Sequence, residues 1–586
     1  MYRPALLPLK QPSKRLETSA WIAACVFALL NAWAARHTVD ADGLSYLDIA
    51  DAILRGDWKN VVNAYWSPLY PLLLVPAVAV GRVWPNWEAA AVHAVNFAVF
   101  LGALGAFRML LREAAAPADG RAAGARCNGA GGLGEKYLPM DVSRFIASAL
   151  FMWSSLEWTS VRRTTPDILV SALAYLTGVL LIKCWREPSN RWHSALLGSA
   201  LAFGYYAKTV FFPLAVVLLA VLATAEMRRR RQAANAVTAA LVFLLLSGPW
   251  VLALSLSKGR FTFGDSGMLN YAWYVNGVHL HVHWQGDPPG FGHPLHPTKQ
   301  LSANPRIYAF AGPVGGTYPP WFDPSYWYEG VRPRFILAQQ TARSAHNLIT
   351  LLLVAVPILL AAAAMASMRN WSWRIDCEAL KNRWPLLLMS AVGLGAYMLV
   401  LVQRRYIAPF SMLLWICLLS SIRVPNQDRS DAGNWKIASA VVIPIFVFVL
   451  GSALHQTRHA ALSWLRGEAH PHWAAAQTLK HLGVKEGSSV AYLGCGAESY
   501  WARLARVRIV AEAYDGTADR DRKHDFFSAG RIEELVTKDG SLKRRVKALF
   551  LKTGAVAVVS CNVPSFVARK GWHRLGRTNY YAYLLR

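Results

Sequence analysis

The sequence predicts a polytopic α-helical membrane protein of about eleven transmembrane helices, followed by a small C-terminal α/β extracytoplasmic domain. Three observations carry that prediction. Hydrophobic residues make up 54% of the 586 positions and charged residues only 16%, against about 25% charged in ordinary soluble domains. Apolar runs long enough to cross a bilayer recur from residue 18 to residue 454, with Lys/Arg clusters between them. Beyond about His455 the apolar runs shrink to five or six residues rich in Val, Ile and Tyr, which suits short strands.

The formal charge of +28 comes from 62 Lys and Arg against 34 Asp and Glu, so the positions of the basic residues report orientation. Lys10, Lys14 and Arg15 place the N-terminus in the cytoplasm, and Thr18–Ala35 reads as a retained first span rather than a signal peptide. It delivers the first outer loop, residues 37–88. Within that loop, Pro68–Val80 is apolar but too short to span, and treating it as a crossing would put Arg108, Arg112, Arg121, Arg126 and Lys136 outside. It is therefore read as lying at the outer interface, where it lines a lateral opening for a lipid chain.

The next crossings are Ala89–Leu111, Phe145–Val161, Ile168–Trp185, Ser194–Tyr206 and Val210–Met227, the last ending at Arg228-Arg229-Arg230-Arg231, the firmest cytoplasmic marker in the chain. Ala236–Leu256 then leads to a long outer loop, residues 257–343, rich in Gly, Pro, Trp and Tyr. His346–Met368 returns to Arg369, Arg374, Lys381 and Arg383; Pro385–Val402, Ile407–Ile422 and Ile437–Leu454 complete the count. The transmembrane domain is thus residues 1–455 and the extracytoplasmic domain residues 456–586. In the latter, Ser489–Leu493, Val507–Ala511, Ala555–Ser560 and Tyr580–Leu585 read as strands and Glu533–Thr553 as helical. Ala114–Gly134, rich in Ala and Gly, reads as a flexible cytoplasmic loop.

Seven cysteines without a CxxC pair exclude a disulfide-stapled small domain and a zinc ribbon. The 24 Trp, 22 Tyr and 23 Phe suit both membrane interfaces and a carbohydrate-binding surface, and composition does not separate the two.

Chemistry concentrates in the outer loops. Five Asp fall within the eighteen positions from Asp40 to Asp57, a pattern that a solvated helix start also explains. A second outer loop, Arg162-Arg163-Thr164-Thr165-Pro166-Asp167, ends in an acid directly before a span, where a helix dipole alone would favour it. Lys208, in Tyr205-Tyr206-Ala207-Lys208-Thr209, and Arg404-Arg405-Tyr406 add outward-facing cations. Outside cations run against the positive-inside tendency and point to a fixed anionic partner such as a lipid phosphate.

These motifs resemble those of the GT-C superfamily of membrane glycosyltransferases, in particular glycosyltransferase family 39, the protein O-mannosyltransferase and aminoarabinose-transferase-like branch. The resemblance rests on Asp42-Gly43-Leu44-Ser45-Tyr46 followed by Gly56-Asp57-Trp58 and Ser67-Pro68-Leu69-Tyr70-Pro71, on Thr165-Pro166-Asp167, on Ala207-Lys208-Thr209, and on Arg405-Tyr406 with Pro409. It covers roughly residues 19–425. One departure is Gly43, where many relatives carry an acid; that acid is either missing here or replaced by Asp40, and the difference bears on acceptor identity more than on reaction type.

The resemblance implies inverting transfer of a sugar from a polyprenyl-phosphate-linked donor to an acceptor on the outer face of a bacterial-type inner (plasma) membrane. Asp42 is then the catalytic base, Asp167 its assistant or the orienter of the acceptor, and Lys208 and Arg405, with Arg404 as a second candidate, the ligands of the donor phosphate. Asp40, Tyr46, Tyr70, Trp321 and Tyr326 are the candidate substrate contacts. The acceptor class stays open among lipid A, a protein hydroxyl, a cell-wall polymer and an exopolysaccharide. No cofactor is assigned and a divalent metal stays open; His279-Leu280-His281-Val282-His283 permits imidazole ligation but more readily forms a hydrogen-bonding surface.

The turn Leu493-Gly494-Cys495-Gly496 lacks the full dinucleotide fingerprint, and Cys495 and Cys561 are candidates for pairing. Basic runs such as Lys543-Arg544-Arg545-Val546-Lys547 suit anionic headgroups or acidic glycans rather than nucleic acid. Two rival readings remain: a transporter or flippase of lipid-linked sugars, which would carry ionisable residues mid-span, and a catalytically inactive scaffold.

Overall fold

The computed structural model describes residues 12–115, 135–228, 233–280, 283–366, 374–425, 430–467, 470–494, 496–513, 535–537, 541–561 and 571–585. Most of the chain is a bundle of apolar helices. In order these are α1 (Pro12–Ala34), α2 (Ala41–Arg55), α3 (Trp58–Val61), α4 (Leu69–Val83), α5 (Glu88–Ala115), α6 (Met140–Trp153), α7 (Asp167–Arg186), α8 (Arg191–Ala207), α9 (Phe211–Arg228) and α10 (Ala234–Lys258). After α11 (Ser266–Tyr274), α12 (Pro319–Phe322) and α13 (Pro324–Trp327) come α14 (Leu337–Ala366), α15 (Cys377–Lys381), α16 (Trp384–Val400), α17 (Arg404–Leu419) and α18 (Ser430–Leu465).

Length and surface chemistry identify the membrane zone. Six helices among the described residues, α1, α5, α7, α9, α10 and α18, are long and apolar enough to cross a bilayer. The 25 residues of α10 reach about 37 Å at 1.5 Å per residue, more than the roughly 30 Å of a hydrocarbon core. Its Leu241, Leu244, Leu245, Leu252 and Leu256 lie 56–74% exposed, a stripe that water would penalise and lipid would not. By contrast α4, at 15 residues, reaches only about 22 Å. It packs between α2 and α5 with Tyr70, Leu74, Ala77 and Val78 buried.

The loops that charge and parity assign to one side do meet at one end of the bundle. β1 (Glu135–Tyr137), β4 (Arg374–Ile375) and β5 (Ile422–Pro425) come from three such loops and form one sheet in the order β1-β5-β4. There Asp376 accepts hydrogen bonds from Tyr137 Oη at 2.6 Å and Arg423 NH2 at 2.6 Å, tying the three loops together. The candidate acids and cations of the outer loops gather at the opposite end. The arginine run after Arg228 and most of the Ala114–Gly134 loop lie outside the described residues.

The C-terminal domain begins later than expected, because α18 continues to Leu465. It contains α19 (Pro471–His481), β6 (Ser489–Leu493), α20 (Tyr500–Ala505), β7 (Arg508–Ala513), α21 (Arg544–Leu551), β8 (Ala557–Cys561), β9 (Trp572–Arg574) and β10 (Tyr580–Leu584). The helix expected over 533–553 is thus only α21 among the described residues, and Cys495 lies outside them. β6 runs parallel to both β7 and β8, with α20 as the crossover between β6 and β7. The sheet does not stop at the domain boundary. β2 (Lys299–Ala303) and β3 (Arg306–Ala309), from the long outer loop, extend it to seven strands in the order β2-β3-β7-β6-β8-β10-β9.

Two buried joints fix this domain to the first outer loop. Arg503 of α20 donates to Asp48 Oδ1 of α2 at 2.7 Å and to both carboxylate oxygens of Glu88 at the start of α5, at 2.9 and 2.8 Å. All three side chains are less than 10% exposed. Asp48 also accepts from Thr317 N at 2.7 Å and Thr317 Oγ1 at 3.0 Å, so the long outer loop shares the joint.

The second joint is a histidine cluster: His37, just after α1, lies 4.6 Å ring to ring from His470, which lies 5.8 Å from His472. Burial lowers His37 to about 4, helped by Arg36; burial and then the neighbouring His37 lower His470 to about 3; burial lowers His472 to about 4. The folded values lie below the unfolded value near 6.5, so this stabilisation is present above pH about 6.5 and is lost as pH falls toward 4. The unfolding midpoint, followed in detergent, should therefore drop between pH 6.5 and 4.5, and His472→Phe should flatten the drop.

Candidate active site

Four segments bring one charged group each to the same end of the bundle. Asp42 sits in the first turn of α2 and Asp167 is the first residue of α7, where the helix dipole favours a negative charge. Pro166 sets that helix start: its fixed φ suits the turn into α7 and it has no N–H to leave unpaired. Lys208 lies at the junction of α8 and α9. Arg404 and Arg405 open α17, an end where the dipole disfavours cations. A local preference broken at a site like this points to a functional demand.

The geometry separates the two acids. Asp167 is buried, its side chain 2% exposed, and each oxygen is engaged: Lys208 Nζ donates to Oδ1 at 2.8 Å, and Thr165 Oγ1 donates to Oδ2 at 2.9 Å with Arg405 NH1 3.6 Å away. Asp42 is about a quarter exposed and held only by long contacts, to Arg405 NH1 at 3.4 Å and NH2 at 3.5 Å through Oδ2, and to Trp321 Nε1 at 3.3 Å through Oδ1. Asp167 is a fixed anchor for the cations. Asp42 keeps acceptor capacity facing open space.

Tyr406 organises the cations. Lys208 Nζ stands 3.7 Å above its ring centroid, and Arg405 NH2 donates to its hydroxyl at 3.0 Å. Arg405 Nε donates to Gln403 Oε1 at 3.0 Å. With two cations against two carboxylates the cluster is balanced, and a bound anion would find guanidinium and ammonium donors already assembled.

The cluster lines a cavity of about 560 Å³ that Asp42, Tyr46, Asp167, Lys208, Trp321 and Arg405 share. Apolar side chains line the same cavity: Val210 and Pro213 around the α9 start, Phe261 and Phe263 after α10, and Val400 and Leu401 at the end of α16, with Tyr397 stacked on Tyr406 and the Arg260–Asp265 pair beside the phenylalanines. Phe261 is 75% exposed. None of the lining residues comes from α4. The expectation that Pro68–Val80 lines the lateral opening is therefore corrected: α4 is committed to packing between α2 and α5 and contributes nothing to the cavity wall.

The other sequence candidates lie elsewhere. Asp40 caps α2 and accepts from Thr164 N at 3.1 Å, which clips the second outer loop to the first. Burial, with Asp42 nearby, raises its pKa, while Arg163 opposes the rise. Tyr70 is 1% exposed and donates to Asn96 Oδ1 at 2.7 Å; Asn96 in turn donates to the carbonyls of Val161 and Arg163, so Tyr70 supports the second loop from behind. Arg404 is exposed and does not line the cavity. Tyr326 lines a different cavity and stacks on His296.

His283 is buried, 2.6 Å from Glu512 Oε1; His281 lies outside the described residues. Among the described residues, no three His, Cys, Asp or Glu side chains converge as metal ligands.

Gly43 acquires a steric explanation. A Cβ built there would stand 2.5 Å from Thr164 Cβ and 2.8 Å from Thr164 Cγ2, closer than carbon atoms approach. The start of α2 presses directly on the loop that carries Asp167. Any side chain at 43 would push the two acids apart, and the acid found in many relatives has no room here. Gly43→Val should therefore lower activity strongly together with the unfolding midpoint, whereas Gly102→Val, where open space surrounds the added Cβ, should leave both near wild type.

Sequence reasoning missed Tyr397, Tyr406, Tyr65, Trp273 and Arg260 as cavity residues. Tyr406 stood inside a quoted motif, so its neighbours were the available signal. Tyr65 stands two residues before another quoted motif, whereas Tyr397, Trp273 and Arg260 lie outside the motifs and nothing local marks them.

No protein-family model matches the sequence, and no curated protein matches it. Among solved structures, the chain is similar over 97% of its length to 97% of ArnT from Cupriavidus metallidurans bound to undecaprenyl phosphate, at 11% identity and a TM-score of 0.48. It is similar over 96% of its length to 98% of the apo form of the same protein, at 14% identity and a TM-score of 0.48. It is similar over 94% of its length to 70% of the oligosaccharyltransferase AglB from Archaeoglobus fulgidus, in complex with an inhibitory peptide and a dolichol-phosphate, at 11% identity and a TM-score of 0.44.

Proposed function

We propose that this chain is a GT-C-type glycosyltransferase that moves a sugar from a polyprenyl-phosphate donor to an acceptor hydroxyl at the outer face of a bacterial inner membrane, with inversion at the anomeric carbon. The observation that carries the reading is the mixed lining of one cavity. Lys208 and Arg405 stand there beside two carboxylates, and apolar side chains such as Val210, Phe263, Val400 and Leu401 line the same space. A ligand with a phosphate head and a prenyl tail matches both kinds of lining.

The chemistry follows from the unequal environments of the acids. The acceptor O–H gives its proton to Asp42 as its oxygen attacks the anomeric carbon. The bond from that carbon to the phosphate oxygen breaks, and its electron pair leaves on the phosphate. Lys208 and Arg405 stabilise the added charge, and Asp167 holds both cations at the position where that charge develops. Trp321 Nε1 steadies Asp42 Oδ1 at 3.3 Å and Arg405 faces Oδ2 at 3.4–3.5 Å, long contacts that leave the carboxylate lone pairs for the proton.

A transporter would carry its ionisable groups near the middle of its spans. Here Asp42, Asp167, Lys208 and Arg405 lie at helix ends or junctions, which favours an enzyme.

Mass spectrometry of lipid and glycan fractions tests the proposal, in cells lacking the gene and in cells complemented with wild type or Asp42→Asn. Accumulation of one polyprenyl-phosphate sugar together with loss of one sugar from a glycoconjugate is the expected result in both the deletion and the mutant. A wild-type profile restored by Asp42→Asn would overturn it. In purified protein, Lys208→Met should weaken binding of undecaprenyl phosphate about 10- to 100-fold, as loss of one charged hydrogen bond implies, and leave binding of neutral undecaprenol unchanged.

A further inference from the structure

A second cavity, of about 430 Å³, lies away from the acid and cation cluster, between the long outer loop and the C-terminal domain. We propose that it binds an anionic sugar unit, one bearing a carboxylate or a phosphate, and that it serves as an acceptor-recognition subsite. Its role for the acceptor rests on the transferase reading; its ligand chemistry does not.

Two features of the cavity define the ligand. The first is a stacked aromatic pair that serves as a platform. The rings of His296 and Tyr326 lie 4.2 Å apart and within 3° of parallel, and Glu329 Oε2 stands 3.2 Å from the imidazole Nε2. Trp327, buried and set edge-on to Tyr326 at 87°, backs the pair, its Nε1 donating to the carbonyl of Pro319 at 2.9 Å. Rigid aromatic faces of this kind pack against the apolar face of a pyranose at little entropic cost.

The second feature is charge. Lys299 of β2 and Lys552, just after α21, line the same cavity from opposite sides of the domain joint. Neither has an ion-pair partner among the described residues. Two free ammonium groups beside an aromatic platform select a sugar with a negative substituent over a neutral one.

The position of the cavity links it to the reaction centre. The short pair α12 and α13 presents Trp321 to Asp42 at one end and Tyr326 and Trp327 to the second cavity at the other. The bond from Trp327 Nε1 to Pro319 makes the pair one rigid piece. An acceptor engaged at the platform is thus registered against the same element that steadies the candidate base.

Saturation-transfer difference NMR on the full chain in nanodiscs of zwitterionic lipid tests this, with glucuronate, glucose 6-phosphate and glucose as probes. At least one acidic probe should bind at least tenfold more tightly than glucose. Lys299→Glu/Lys552→Glu should abolish that preference, and Tyr326→Ala should weaken all three probes. Lys299 and Lys552 are exposed, so the double lysine variant should leave the unfolding midpoint unchanged, and Asp42→Asn should bind the probes as wild type does.

Failure of both acidic probes to bind, equal binding of glucose, or an unchanged preference in the double lysine variant would each overturn the site. So would displacement of the acidic probe by anionic phosphatidylglycerol in the nanodisc, which would identify a lipid-headgroup contact instead. If the acidic probes bind as stated but Asp42→Asn restores transfer in cells, the transferase reading fails while the sugar site stands. If Asp42→Asn abolishes transfer but no acidic probe binds, the sugar site alone fails.

Discussion

Asp42→Asn should lower the rate of sugar transfer by about 10²- to 10⁴-fold, the usual contribution of a positioned general base. The substitution preserves shape and leaves an oxygen to accept from Trp321 Nε1, so α2 and the cavity wall should hold their places. What it removes is the proton acceptor, together with one charge facing Arg405 at 3.4 Å. Donor binding should therefore persist, because the phosphate ligands are intact and the competing carboxylate is gone. Single-turnover assays in proteoliposomes, with donor binding measured separately, distinguish this from a folding defect. Asp167→Asn should behave differently: it removes the buried charge that pairs with Lys208 at 2.8 Å and faces Arg405 at 3.6 Å, and should weaken donor binding as well as turnover.

The second large effect should come from Arg503→Leu, in the C-terminal domain. The change leaves Asp48 and Glu88 buried without their cation, and breaking a buried ion pair by removing one partner costs about 3–5 kcal/mol. Asp48 lies on α2, the helix that begins with Asp42, and also holds Thr317, a few residues from Trp321. Loss of Arg503 should thus lower both the unfolding midpoint and turnover, although the residue lines no part of the reaction cavity. Arg503→Lys keeps the charge but not the forked contacts to two acids, and should recover only part of each. Thermal unfolding in detergent beside transfer assays checks both. An unaltered midpoint in Arg503→Leu would show that the joint does not stabilise the assembly.

The helices were largely legible because each bilayer crossing must be apolar along its whole length, and that demand is written in consecutive residues. Ala89–Leu111 and Ile168–Trp185 fall within one or a few residues of α5 and α7. α14 starts at Leu337 rather than His346 because its first turns rise above the membrane, where a polar sequence such as Gln339-Gln340-Thr341 gives no apolar signal. Among the site residues, Asp42, Asp167, Lys208 and Arg405 stood out because each is a charge where a helix end or an outer loop did not require one. Asp40 and Tyr70 carried the same kind of signal and turned out to brace the second loop. A charge or an aromatic in a loop reads alike whether it faces a cavity or another loop.

The sequence by itself determined which segments are long and apolar, which loops share an end, and that acids and cations collect on one side of a membrane. Those are one-dimensional consequences of burying a backbone in lipid and of where positive charge is tolerated. Only the tertiary structure decided that Asp167 is saturated while Asp42 is open, that α4 supports the site rather than lining its cavity, and that β2 and β3 of a membrane loop complete the sheet of a domain two hundred residues away. Those outcomes depend on contacts between residues far apart in the chain. The steric limit at Gly43, set by Thr164 more than a hundred positions later, shows why no local pattern encodes them.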